Sequence, residues 1–490
     1  MIKRYKATID NTITNAFEPN MTTRGTGSNM GRSDILEVFT IYNQVSNSAG
    51  ASRENERILV QFDIASLQQD RTNGTVPSGS SYYLKMFNAP HVQTVPDDLV
   101  LEILAVSASW QEGIGLDMED YGDLTYNVVG SNWIMSAGST TWKDPSDAPA
   151  YTTAITGGAF HASPIFSASF STGMGNMDVD ITSLVNEWLG GSKTNYGVGI
   201  RVSSSLANSN KSYYTKKFYG RGSHLFFDRP YIEAKWDSAR LDDRGNFYTS
   251  SSLVPASDNL NLLYLYNYAR GRLTNIPAVE SDASNAIRVK LYTSLSGTAL
   301  TLCDATTYAV GGKVSTGIYS ASLCVETTAS QLYDVWYLGS DDFHSGSITT
   351  KSLSAYEYSD TQQKVLTISN RQTSYNANQT HRMRLYSRYK NWSPNIYNTA
   401  VAVPNTLIFE SASYKVYRVI DDRVVIPYGT GSIQDTRLSY DVSGNYFDLD
   451  ATLLEPNYTY GINFSIYDPD TQSYEEQPYV YKIRVVKNEY

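Results

Sequence analysis

The residues best suited to chemistry are few and badly spaced for it. Five histidines are present, His91, His161, His224, His344 and His381, and no two lie within five residues. A helical zinc pair needs histidines at i and i+4 on one face, so that site is absent. No Gly-x-Ser-x-Gly turn sets up a serine nucleophile. Gly312-Lys313 lacks the earlier glycine and the following hydroxyl of a phosphate-cradling loop. Paired carboxylates that could cleave glycosides occur as Asp117, Glu119 and Asp120, and as Asp242 and Asp243. Both sets sit in turn-like polar stretches and read as solvated loop charges. Asp468-Pro469-Asp470 and Asp341-Asp342 offer hard oxygen ligands for calcium, without EF-hand spacing. Asx-turns account for them more simply. The expectation is a chain with no catalytic residue and no cofactor, with Asp468 and Asp470 as weak calcium candidates.

Sugar binding would need exposed rings, because an aromatic face packs on the apolar face of a pyranose. Trp133 and Trp142 fall in an irregular stretch, and the adjacent Tyr213 and Tyr214 must point to opposite faces if they share a strand. These four are the carbohydrate-binding candidates. The competing expectation is that the rings fill a core or a subunit interface.

The elements that must position these residues are mostly strands. Ile58, Val60, Phe62 and Ile64 alternate with Arg57, Gln61 and Asp63; Tyr479, Tyr481, Ile483 and Val485 alternate with Val480, Lys482, Arg484 and Val486. Period-two runs of this kind have one face in a core. Asn73-Gly74, Gly157-Gly158, Gly311-Gly312 and Asp468-Pro469-Asp470 supply turns between them. One segment differs. Ile181, Leu184, Val185, Trp188 and Leu189 form a helical stripe, with Asp180 placed to cap its start and Gly190-Gly191 to end it. This predicts a single short helix packed on a sheet, with Trp188 as a core anchor.

Composition agrees with an all-β chain. Tyrosine contributes 39 of 490 residues, and only 18% are charged, below the average for a domain. A polar stretch after Trp236 and another near Asn370-Arg371 divide the chain into residues 1–237, 238–370 and 371–490. The last two have the size of immunoglobulin-like sandwiches. A net charge of −10 without a basic run longer than Lys216-Lys217 excludes a nucleic-acid footprint. No apolar run is long enough for a membrane-spanning helix. Thr8, Asp10, Asn11 and Thr12 break any signal-peptide core, which predicts synthesis and folding in a cytosol. Two cysteines, Cys303 and Cys324, could pair across two strands, but in a reducing cytosol buried free thiols are the preferred expectation.

Several short segments recur in a telling order: Ser28-Asn29-Met30-Gly31, the Arg57–Asp63 strand, Trp110-Gln111-Glu112, Trp142-Lys143-Asp144-Pro145, Asp178 through Gly197, and Arg229-Pro230-Tyr231. Together they resemble the DNRLRE domain, a jelly-roll-like β-sandwich related to carbohydrate-binding modules, over roughly residues 20–236. A literal DNRLRE string is absent, Arg53-Glu54-Asn55-Glu56-Arg57 being nearest, and 113–141 resembles an insertion. Gly317–Ala321, Tyr333–Tyr337, Ser439–Leu449 and Pro456–Gly461 are similar in phrasing to structural proteins of tailed, marine bacteriophages.

The resemblance implies an N-terminal jelly-roll-like β-sandwich with one short helix, followed by two smaller immunoglobulin-like sandwiches. It implies a virion component assembled in the bacterial cytoplasm: a capsid-decoration, neck, tail or baseplate-fibre protein. Its partners would be other virion proteins and further copies of itself. Host glycan binding through the first domain is the alternative.

Overall fold

A computed structural model describes every residue except 48–49, 92–96, 117–119, 125–128, 278, 280–285, 354–362, 393–405, 430–431 and 488–490. The chain is all-β and divides into two compact units, Ile2–Trp236 and Asp237–Tyr490.

The first unit contains strands β1 (Ile2–Thr14), β2 (Ile35–Asn47), β3 (Gly50–Phe62), β4 (Ser81–Met86), β5 (Leu99–Val106), β6 (Met135–Ala137), β7 (Thr140–Thr141), β8 (Phe160–Phe170), β9 (Met177–Asp180), β10 (Val198–Val202), β11 (Tyr213–Tyr219) and β12 (Tyr231–Lys235). Three helices join them: α1 (Ile64–Thr72), α2 (Thr182–Leu189) and α3 (Ser204–Ala207). Ten strands share one sheet, ordered β8-β5-β10-β3-β1-β12-β4-β9, with β2 on β3 and β11 on β2. β1 serves two neighbours: Ile2–Lys6 pairs β12, and Ala7–Thr14 pairs β3 with a register shift between Ala7 and Ile9. Past β4, Tyr219 donates its N–H to the Phe87 carbonyl and Ala89 to the Lys217 carbonyl. The hydrogen-bonded ladder thus runs from β1 through β12, β4, β11, β2 and β3 back to β1. This curls the sheet into a jelly-roll-like sandwich.

The expected Arg57–Ile64 strand stops at Phe62. Asp63 instead opens α1, its carboxylate accepting from the Ser66 N–H at 3.1 Å, and Ile64 is the first helical residue. The single helix expected is therefore one of three among the described residues. α2 begins at Thr182, one residue later than a cap at Asp180 would place it, although Asp180 still accepts from the Thr182 N–H at 2.9 Å. Trp188 is buried on its inner face. Gly191, at φ +76°, lets the chain turn away after the last helical turn.

β3 is covered on both sides. Ile58, Val60 and Phe62 are buried as the alternation predicts. Leu59, on the opposite face, is equally buried, packed in a cluster with Ile13, Val106, Trp110, Trp133, Trp142 and Ala159. The segment around Trp133 and Trp142 folds over this outer face, so the sheet is a middle layer there.

The second unit holds two sandwiches. The first comprises β13 (Phe247–Thr249), β14 (Asn261–Tyr266), β15 (Tyr268–Ala269), β16 (Arg272–Leu273), β17 (Arg288–Tyr292), β18 (Ala309–Val310), β19 (Gly312–Ser315), β20 (Ile318–Leu323), β21 (Gln331–Leu338) and β22 (Asp341–Ser352). Its five-stranded sheet, β13-β22-β21-β17-β18, and three-stranded sheet, β14-β20-β19, share a core of Leu263, Leu291, Tyr319, Leu332, Trp336 and Ile348. The second comprises β23 (Lys364–Ile368), β24 (Tyr375–Asn376), β25 (Thr380–Tyr389), β26 (Ala412–Arg418), β27 (Arg423–Ile426), β28 (Ser439–Asp441), β29 (Gly444–Asp450), β30 (Thr459–Asp468), β31 (Ser473–Glu476) and β32 (Tyr481–Val486). Phe447 of β29 stands between Tyr414 of β26 and Phe464 of β30, at centroid distances of 4.3 and 5.7 Å, which joins its two sheets face to face.

Two expectations about this unit are corrected. Cys303 and Cys324 form a disulfide, with Cα atoms 5.4 Å apart, and are not free thiols. A backbone hydrogen bond from the Cys303 N–H to the Cys324 carbonyl brings the two segments into reach. Asp242 and Asp243 are not solvated loop charges. Asp242 is buried and accepts from the Arg244 N–H at 3.2 Å; Asp243 accepts from the Leu262 N–H and the Tyr440 hydroxyl, both at 2.6 Å. Tyr440 also exchanges backbone bonds with Arg240 and Asp242. This stretch fastens the two sandwiches of the second unit together. Burial raises both carboxyl pKa values, that of Asp242 to about 6.

Candidate functional site

A concavity lies on the outer face of the β17-β21-β22 sheet. Pairing sets Lys290 beside Val335 and Tyr292 beside Tyr333, while Val289, Leu291 and Trp336 point into the core. Between the pairs Trp336–His344 and Tyr337–Asp342 the register shifts by one residue, and Phe343 is the extra residue on β22. Such a bulge re-aims side chains, and here it leaves the Phe343 ring 39% exposed at the rim. Lys290, Tyr292, Leu295, Tyr337, Asp342 and Phe343 line a cavity of about 560 Å³. The Lys290 ammonium stands 4.3 Å from the centroid of the largely covered Tyr337 ring.

His344 also borders this cavity. Beneath it, Asp334 is fully buried, paired with Arg244 at 2.6 Å and accepting from the Trp336 indole N–H at 2.9 Å. Burial lowers the His344 pKa; Asp334 opposes that shift and Arg244 reinforces it. The groove therefore offers one exposed ring, one half-buried tyrosine, a cation, a carboxylate and an imidazole biased toward its neutral form. That set can pack a planar or sugar-like face and hydrogen-bond its rim.

Trp133, Trp142 and Tyr213 are buried, where a sugar platform would need exposure, and only Tyr214 shows its ring to solvent. The Trp142 indole donates to the Asn132 carbonyl at 2.9 Å, and the Arg57 guanidinium covers Trp133 at 4.8 Å. These two are core. Tyr214 lies edge-on to Phe39, and the structure does not bring it together with the tryptophans into one platform. Asp468 accepts from Thr471 in the β30–β31 turn and faces Lys364 at 3.8 Å. Among the described residues no group of three or more His, Cys, Asp or Glu side chains converges, at Asp468 and Asp470 or elsewhere. Asp117 and Glu119 lie outside the described residues.

The motif residues of the first unit form a framework. The Asn29 amide donates to the carbonyls of Glu112 and Ser131 at 2.8 and 2.7 Å and accepts from Gly115 at 3.1 Å. Gly31, Gly113, Gly115 and Gly130 crowd this hub, with no room for a Cβ. Glu112 accepts from the Asp10 N–H at 3.0 Å and pairs with Arg221. Asp10 is buried beneath them and accepts from the Arg221 N–H at 2.6 Å; burial, with Glu112 adding to it, pushes its pKa up to about 7. Lys216, outwardly a surface basic residue in the sequence, is fully buried between the Phe170 and Phe218 rings and donates to the Gly173 and Gly175 carbonyls at 2.8 Å.

No family model matches the sequence, and no curated protein matches it. Among solved structures, the chain is similar to the adhesin InvE of Yersinia pseudotuberculosis at 9% identity and a TM-score of 0.15, covering 50% of this chain and 56% of the adhesin. A marsupial T cell receptor matches at 10% identity and a TM-score of 0.16, over 46% of this chain and 68% of the receptor. The N-terminal Ig1-2 module of the Drosophila receptor protein tyrosine phosphatase DLAR matches at 11% identity and a TM-score of 0.14, over 46% and 90%. The chain thus spans little more than half of the adhesin's length, and likeness at this level assigns no function.

Proposed function

We propose that this chain is a structural, non-enzymatic component of a tailed-phage particle, one that docks on the virion and presents β modules outward. The ordered motifs similar to DNRLRE domains and the phage-like phrases of the second unit suggest it. The observation that carries it is the exposed cross-strand pair Tyr467 and Tyr474 on the β30–β31 hairpin, their rings 5.4 Å apart. Tyr479 and Val480, exposed just before β32, follow in the chain. Exposed aromatic side chains on a sheet edge suit an interface with another copy or another virion protein. Mass spectrometry of washed virions tests the role. Stoichiometric copy number supports it, and absence from virions defeats it.

A host-glycan role is the second reading, favoured by the groove around Phe343, Tyr292 and Lys290 in place of the first unit's tryptophans. Saturable binding of host polysaccharide, abolished by Phe343→Ala without loss of folding, would support it.

A further inference from the structure

The first unit holds a second cavity, of about 160 Å³, where β3 and β10 meet α3. Arg53, Arg57, Arg201, Asn55, Glu56 and Ser204 are among the residues that line it. Three guanidinium groups around one small pocket stand out in a chain of net charge −10.

Three guanidinium groups outnumber the Glu56 carboxyl, which burial and the like charge of Glu37 push toward its neutral form, so the pocket is electropositive. Arg201 pairs with Glu102 at 2.9 Å, and Glu102 also accepts from the Ser204 N–H at 3.0 Å and the Ser204 hydroxyl at 3.2 Å. That carboxylate is thus occupied by its own contacts. Arg53 donates to the carbonyls of Ala207 and Ser209, at 3.0 and 2.6 Å, and to the Asn210 amide oxygen. Arg57 meets no carboxylate among the described residues. It donates one N–H to the Gly157 carbonyl and lies over Trp133 and Phe160. A guanidinium carries five N–H groups, so most of those on Arg57 remain to be used. Burial and the like charge of Arg201 hold the Arg57 pKa down at about 10. A half-buried cation facing a second cation carries a cost that a bound anion would offset.

We propose that this pocket binds a small oxyanion (phosphate, sulfate or carboxylate) held by Arg57 and Arg201 with Arg53 at its edge. The guanidinium fork matches the paired oxygens of these groups, which a lysine pocket would not. The volume accommodates the anionic group alone. The anion is free in solution or is a charged substituent on an acidic polysaccharide. The site does not depend on the particle role proposed above.

Calorimetric titration of the full chain tests it, with sodium sulfate, sodium phosphate, an oligouronate and a sulfated oligosaccharide, each against sodium chloride at matched ionic strength. Saturable binding of sulfate or phosphate, about tenfold weaker in Arg57→Gln, is the expected result. Arg53→Gln leaves the cover over Trp133 in place and carries the comparison if Arg57→Gln does not fold. Equal affinity for free sulfate and the sulfated oligosaccharide marks a free anion as the ligand. Affinity at least tenfold higher for an acidic oligosaccharide marks the polysaccharide substituent. If the unmodified protein binds none of the four above the chloride control, or both folded arginine variants bind as it does, the proposal is overturned.

Discussion

Reducing or removing the Cys303–Cys324 bridge should destabilise the second unit by a predictable amount. The bridge closes a loop across a sequence separation of 21 residues. Chain-entropy bookkeeping for a loop of that length, −2.1 − 1.5R ln n, gives about 11 cal/mol/K, or about 3 kcal/mol at 25 °C. The loop contains β18, β19 and β20, and with them Ala309, Tyr319, Ala321 and Leu323 of the core. Freed ends would therefore cost order in an element that the sandwich needs. For a unit of this size, about 3 kcal/mol corresponds to a fall of roughly 6–12 °C in the midpoint of unfolding. Differential scanning calorimetry of the oxidised protein, the same protein in reductant, and the Cys303→Ala/Cys324→Ala variant provides the assay. The reduced protein and the variant should fall together. A midpoint unchanged within about 1 °C in both would refute the entropic argument. Two titratable thiols in the oxidised, unfolded protein would refute the bridge itself.

Other perturbations separate framework from surface. Trp142→Ala should cost about 3–5 kcal/mol, because a fully buried indole and its bond to Asn132 are lost together; urea unfolding of the first unit measures it. Trp188→Ala should cost a similar ~3–5 kcal/mol, and an unchanged midpoint would place that ring outside the core. Asp10 is raised in the fold from its ordinary 3.8 to about 7, so folding takes up a proton between those values. Its contribution is fully present below pH 3.8 and is lost as pH rises through 7. Asp10→Asn should flatten that slope and stabilise the protein at pH 8 relative to the parent, by on the order of 4 kcal/mol at most; melting curves from pH 4 to pH 8 decide it. Tyr440→Phe removes a hydrogen bond to the Asp243 carboxylate and should cost about 1.5–3 kcal/mol, with calorimetry showing the two sandwiches of the second unit melting less cooperatively.

Alternation made much of the β architecture legible. Ile58, Val60 and Phe62 announced a buried face, and Trp188 announced a core helix, because both patterns repeat within a few residues. The second cover over β3 was not legible. Leu59, Trp133 and Trp142 are far apart in sequence and their segment has no period, so only tertiary contact reveals the layer. α1 was hidden for a local reason: only Ile64 and Leu67 are buried, too few for a stripe, although the Asp63-to-Ser66 spacing is a capping signal. The groove was missed at Phe343, where a bulge breaks the rule that would have assigned its face. Arg57 was visible as a polar residue on a strand, but that it meets no carboxylate among the described residues is a property of the fold.

The antiparallel pairing of β1 with β12 also has a mechanical side. Ile2 faces Lys235, and the register runs inward to Lys6 facing Tyr231. The chain therefore enters and leaves the first unit at the same end of adjacent strands. A pulling force applied between those two points acts across the strands and opens them one rung at a time, as a zip. The same hydrogen bonds loaded along the strands would have to break together. Under tension the unit should yield first at this seam, with β1 still anchored to β3 through Ala7–Thr14, so an early extension of a few residues would leave most of the sheet intact.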